Sequence, residues 1–112
     1  MFDFTGMMFN YEQRKVANDK LSNGAEIDTC AVNDSDQPFE TAVHHPNYNG
    51  NNWIIVEMYD TKDEAAAGHH HWVDIMKADK LPKVLTDVSS CTILKLGDAL
   101  TGGNMQRKFE SK

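Results

Sequence analysis

Cysteine is scarce in this chain, and what there is lacks pattern. The two, Cys30 and Cys91, have neither CxxC nor zinc-ligand spacing, which argues against a stapled secreted framework and for reduced thiols. A disulfide between them stays open if their two strands are neighbours. Long apolar runs are missing too, and nothing has the length to span a bilayer. The N-terminal MFDFTGMMFN lacks the basic n-region and apolar core of a signal peptide. There is no GxSxG, P-loop, dinucleotide fingerprint or HExxH, and Thr101-Gly-Gly-Asn is a lone glycine pair. Positive charge is also short. The net charge of −6 argues against a general nucleic-acid or anionic-membrane binder. With all five histidines protonated it would shrink to −1, so repulsion between copies should fade near pH 5 to 6. No repeat, low-complexity tract or linker interrupts the 112 residues, a length suited to one domain with a modest core.

What is present centres on residues 53–77. WIIVEMYD is β-branched and aromatic and too short for a buried helix. Strict alternation would put Ile54, Val56 and Met58 on one face and Trp53, Ile55, Glu57 and Tyr59 on the other. Neither set is polar, which predicts a strand covered on both sides. Thr61-Lys-Asp-Glu64 then matches a capping box, with Asp63 and Glu64 at the positive helix end. Ala65, His69, Trp72, Val73 and Met76 form one helical stripe, and Pro82 stops the segment. Gly68 costs about 1 kcal/mol relative to alanine, and a close approach to the sheet would explain it.

Upstream, residues 1–10 read as an apolar N-terminal arm. Tyr11–Asp19 fits a helix or a strand, and Asn23-Gly24 is a turn. A hairpin over about 14–32 follows, with Ile27, Thr29 and Ala31 on one face. Residues 33–38 form a polar turn, 39–45 a returning strand, and His45–Asn52 a loop by composition. After Pro82, KVLTDV and CTILKL read as strands. The domain should run from 11 to 97, and 98–112 read as a mobile C-terminal tail or an arm docking on another chain. The expected fold is therefore α+β: an antiparallel sheet of four to five strands with one main helix, about 61–78, packed on one face.

Three sets of residues carry potential chemistry. His69, His70 and His71 project about 100° apart on a helix and cannot converge on one metal. His44 and His45 point to opposite sheet faces. His44 and His69 are the residual metal candidates, but His69 fits a hydrogen-bonded core or interface group better, and no metal or other cofactor is expected. Glu57, between Ile55 and Tyr59, would make an acid/base pair with His44 or His69 if buried. An ion pair with Arg14 or Lys15, or a place at the sheet rim, is its ordinary alternative. Trp53, Tyr59 and Trp72 suit core packing or an aromatic ligand cleft. Cys30, with no activating neighbour, reads as a small buried residue.

From residue 10 the order YEQRKVAN, EIDTC, PFETAVHHPNYN, WIIVEMYDTKDEAAAGHHHWV, then DV and C, resembles small proteins encoded in phage and prophage genomes. The resemblance spans Phe9 to Cys91. No activity or site residue comes with it, and it implies a virion-associated or assembly role only at the level of origin. With one helix for two apolar sheet faces, the expectation is a non-enzymatic structural or assembly protein that forms a homo-oligomer. Trp53, Ile55 and Tyr59, with Phe2 and Phe4 of the arm, would form the interface. Location would be cytoplasmic or virion-associated, with a virion or host protein as a further partner and neither nucleic acid nor membrane among the partners. The alternative is a small metal-binding protein or hydrolase-like enzyme using Glu57 with His44 or His69.

Overall fold

A computed structural model describes residues 14–32, 37–88 and 107–112. The fold is α+β. Strands β1 (Lys15–Lys20), β2 (Glu26–Ala31), β3 (Phe39–His44) and β4 (Ile54–Tyr59) make an antiparallel sheet in the order β1-β2-β3-β4. One helix, α1 (Lys62–Lys77), packs on it. A separate antiparallel pair, β5 (Val84–Asp87) and β6 (Arg107–Glu110), completes the described elements. Within them, no helix is long and apolar enough to cross a membrane.

Local sequence explains most of these boundaries. Gly24 takes a φ of +95°, closing the β1–β2 turn, and a side chain there would press on Pro46. Beside it, the Asn23 side-chain amide donates to the Met76 carbonyl at 2.8 Å, so the hairpin turn also satisfies an acceptor in the last turn of α1. At the other end of the helix the capping box is formed in both directions. The Glu64 N–H donates to Thr61 Oγ1 at 3.1 Å, and the Thr61 N–H to Glu64 Oε1 at 3.2 Å. Tyr11–Asp19, ambiguous in sequence, is strand from Lys15 onward.

The core lies between α1 and the sheet. Ile27, Val43, Ile54 and Met76 are fully buried, Val56 nearly so, and Leu85 of β5 joins them. Ala65, His69 and Met76, three of the five predicted stripe residues, are buried, and Trp72 and Val73 pack partly against the core. Burying these aliphatic side chains stabilises the fold by about 1.5–3 kcal/mol each.

Three sequence expectations need correcting. The first concerns β4, where strict alternation fails. Thr41 pairs with Glu57 but Ala42 pairs with Ile55, leaving Val56 unpaired in a bulge. Directly paired residues share a face, so Glu57 and Tyr59 join Ile54 on the helix side, while Met58 moves to the opposite side with Ile55. The second concerns the tail: Arg107–Glu110, expected to be mobile or to dock elsewhere, pair with β5 of their own chain. The Ser111 N–H then donates to the Lys83 carbonyl and the Lys112 N–H to that of Asn47. The third concerns the loop after β3, where Tyr48 is fully buried and its hydroxyl donates to the Pro82 carbonyl. Its three following residues, Asn49, Gly50 and Asn51, all hold positive φ in a single 3-10 turn, a conformation that asparagine and glycine tolerate. The N-terminal arm with Phe2 and Phe4, most of the polar turn at 33–38, the CTILKL segment and Cys91 lie outside the described residues.

Candidate functional site

Register places polar side chains where a core would ordinarily be apolar. On the helix side, Ala17, Thr29, Thr41 and Glu57 form one cross-strand row, and Asp19, Ile27, Val43 and Ile54 the next. Thr29 and Thr41 are wholly inaccessible to solvent, and His69 descends on them from α1 at 1% exposure. The result is a continuous chain of hydrogen bonds. Asp19 Oδ2 lies 2.8 Å from His69 Nε2, and His69 Nδ1 lies 2.7 Å from Thr29 Oγ1. Thr29 and Thr41 hydroxyls are 2.5 Å apart, and Thr41 Oγ1 is 3.0 Å from the Tyr59 hydroxyl. Tyr59 donates to Glu57 Oε1 at 3.2 Å, and the Trp72 indole N–H donates to the same oxygen at 2.8 Å. Five elements are thereby tied together through polar groups that leave no buried hydroxyl unsatisfied.

Gly68 makes this chain geometrically feasible. A Cβ at that position would overlap the hydroxyl and ring of Tyr59. The missing side chain lets the phenol lie across the helix and reach Thr41. Burial then pushes the Tyr59 hydroxyl up to about 12, with the Thr41 hydrogen bond opposing and the nearby Glu57 charge adding to the shift.

Beside this chain opens a cleft of about 430 Å³, lined in part by Gln37, Glu57, Asp60, Glu64, Gly68 and His71. Several of its polar groups already have hydrogen-bond partners. Gln37 donates to Asp60 Oδ1 at 3.3 Å, Glu64 is occupied in the capping box, and Glu57 holds Trp72 and Tyr59.

The face opposite α1 differs in composition. Its rows are Lys15–Cys30–Glu40–Met58, Asn18–Asp28–Ala42–Ile55 and Lys20–Glu26–His44. Asn18 donates to Glu26 Oε2 and Asp28 Oδ1, both at 3.0 Å, and His44 bridges Glu26 Oε1 at 3.0 Å and Asn51 Oδ1 at 2.8 Å. The hydrogen bond from Asn18, reinforced by His44 and Lys20, holds the Glu26 carboxyl below its ordinary value despite partial burial. Trp53, 46% exposed, meets the His44 ring edge-on at 4.4 Å. Cys30 is a free, half-buried thiol whose ionisation burial pushes up, which suits packing better than nucleophilic attack.

The predicted site residues therefore separate. Glu57 and His44 lie on opposite sides of the sheet. Glu57 and His69 share a side but communicate only through Tyr59, Thr41 and Thr29. Glu57 takes its hydrogen bonds from Trp72 and Tyr59, while Lys15, one of the two cations offered for an ion pair with it, sits on the far edge strand and on the other face. Trp53 and Ile55 remain together opposite the helix, whereas Tyr59 is buried beneath it. Among the described residues no three His, Cys, Asp or Glu side chains converge to hold a metal ion. Sequence reasoning misses Thr29 and Asp19 as the polar partners of His69, and Thr41 as the next link beyond Thr29. The available signal was His69 on the apolar stripe, together with two threonines at inward positions of paired strands. No family model, curated protein or solved structure matches the chain, so its functional reading rests on its own residues.

Proposed function

We propose that this is a non-enzymatic interaction protein that self-associates through the sheet face opposite α1. The observation that carries this reading is the lopsided layering of the described residues: among them one helix serves the four-stranded sheet, and the far side presents Trp53, Ile55, Ala42, Met58 and Cys30. Trp53 is a large, half-exposed aromatic of the kind enriched at interface centres. The polar cluster of Asn18, Glu26, His44 and Asn51 flanks it as a rim. A face is favoured over an edge because β1, one edge strand of the sheet, carries Lys15 and Lys20 and a bulge near Lys15, features that discourage strand addition, while at β4, the other, the Val88 N–H already donates to the Ile55 carbonyl. A second copy of the chain is the occupant proposed, and a virion or host protein would use the same face.

The alternative of acid/base chemistry on Glu57 with His44 or His69 draws less support. The first pair is divided by the sheet, and His69 is committed to Thr29 and Asp19 in a solvent-free position.

Light scattering coupled to size exclusion tests the proposal. A defined oligomer is expected at high micromolar concentration at pH 7.5, and Ile55→Lys with Trp53→Ser should return it to monomer while far-UV circular dichroism stays unchanged. A wild-type monomer at both pH 7.5 and 5.5 would overturn it.

A further inference from the structure

The polar chain beneath α1 contains five hydrogen bonds between two carboxylates: Asp19 to His69, His69 to Thr29, Thr29 to Thr41, Thr41 to Tyr59, and Tyr59 to Glu57. Each bond needs one proton between its heavy atoms. Carboxylates at both ends contribute none. A neutral imidazole contributes one, as do each threonine hydroxyl and the phenol. That supplies about four protons for the five bonds. A neutral chain would therefore leave two lone pairs facing one another somewhere along a line whose central members are wholly buried, where an unmade hydrogen bond is costly.

The Glu57 end fixes the direction. Glu57 Oε1 can only accept, so keeping its 3.2 Å contact with Tyr59 as a hydrogen bond, beside the one from the Trp72 indole, requires the phenol proton to point outward to Glu57. Tyr59 must then accept from Thr41, Thr41 from Thr29, and Thr29 from His69 Nδ1. The deficit falls on His69 Nε2, which faces Asp19 Oδ2 at 2.8 Å. Asp19 is about half exposed and keeps its charge solvated, whereas the ring is enclosed.

We propose that the folded protein holds a fifth proton in this chain, carried by His69 as an imidazolium against Asp19, and that this proton is an integral part of the fold. The groups facing His69 are Asp19 from β1, Thr29 from β2, and, beyond it, Thr41, Tyr59 and Glu57 from β3 and β4. On α1 itself the neighbouring titratable ring is His70, with centroids 6.3 Å apart. Above about pH 7 an unfolded chain keeps its histidines neutral. The native state then binds one proton more than the unfolded state, so stability falls as pH rises. The folding constant should drop about tenfold per pH unit from this source. The chain is thus an alkaline-sensitive lock between helix and sheet.

The test is ¹⁵N NMR of the full chain at pH 7.5, combined with urea unfolding from pH 7 to 9. Both ring nitrogens of His69 should give protonated-type shifts. Asp19→Asn supplies an amide N–H to Nε2 as the fifth donor. In that variant His69 should become a neutral Nδ1–H tautomer, and the tenfold-per-unit slope should be lost relative to wild type. Wild-type His69 as a single neutral tautomer at pH 7.5 would overturn the proposal, whatever the variant does. An Asp19→Asn slope equal to that of wild type would overturn it as well.

Discussion

Two histidine–carboxylate pairs sit on opposite sides of the same sheet. His69 with Asp19 and His44 with Glu26 have nearly the same separation, 2.8 and 3.0 Å. They differ in setting. The His69 side chain is 1% exposed and its other nitrogen feeds a sealed line of hydroxyls, while His44 and Glu26 are about a fifth exposed and share waterside partners with Asn18 and Asn51. Distance alone would rank the pairs as equals. Burial separates them, because an enclosed polar group has no water to replace a lost partner. The helix side should therefore respond sharply to substitution and the far side mildly.

The contrast can be broken hardest at Gly68. Alanine ordinarily favours a helix by about 1 kcal/mol over glycine. Here its methyl would meet the Tyr59 ring as well as its hydroxyl, so Gly68→Ala should destabilise by about 3 kcal/mol in urea unfolding. Adding Tyr59→Leu should recover part of that loss, and a purely additive double mutant would refute the packing argument.

Next is Thr29→Val, which leaves His69 Nδ1 and Thr41 short of a partner at nearly constant volume. A loss of about 2 kcal/mol is expected, with Thr41→Val similar. The same chain should be visible in the ultraviolet: the Tyr59 phenol should ionise only near pH 12. Its folded value is raised above the ordinary 10.0, so its contribution is fully present below pH 10 and lost as pH climbs through about 12.

Smaller again is Thr61→Ala, which removes the acceptor for the Glu64 N–H and should cost about 1 kcal/mol. Smallest is Glu26→Gln on the far side, expected below about 1 kcal/mol at pH 7. Because the Glu26 carboxyl is lowered from 4.5, its contribution is present above that pH and disappears as pH falls through the folded value. Wild type minus Glu26→Gln stability, measured from pH 6 to 3, should shrink toward zero. A far-side loss equal to that of Thr29→Val would erase the distinction between the two faces.

Much of the fold was legible because its signals are local. The capping box at Thr61, the Asn23-Gly24 turn, the stripe ending in Met76 and the strand compositions each depend on residues a few positions apart. The position of Ile27 and Thr29 on one face also followed from period-2 alternation, since β2 and β3 pair without irregularity. The candidate site was only half legible. His69 stood out on an apolar stripe, but its partners come from β1 and β2, some 50 and 40 residues earlier. Tyr48, surrounded by asparagine and glycine, carried no mark of burial.

By itself, then, the sequence determined the helix with its cap, the hairpin and the α+β class. Those follow from backbone preferences and short-range periodicity. Tertiary structure alone decided which face Glu57 and Tyr59 occupy, because one unpaired residue, Val56, reverses the alternation after Ile55. It also decided that Arg107–Glu110 pair with β5, and that two threonines, a histidine and a tyrosine meet in one buried line. Such meetings depend on register between distant strands, which no local window of sequence contains.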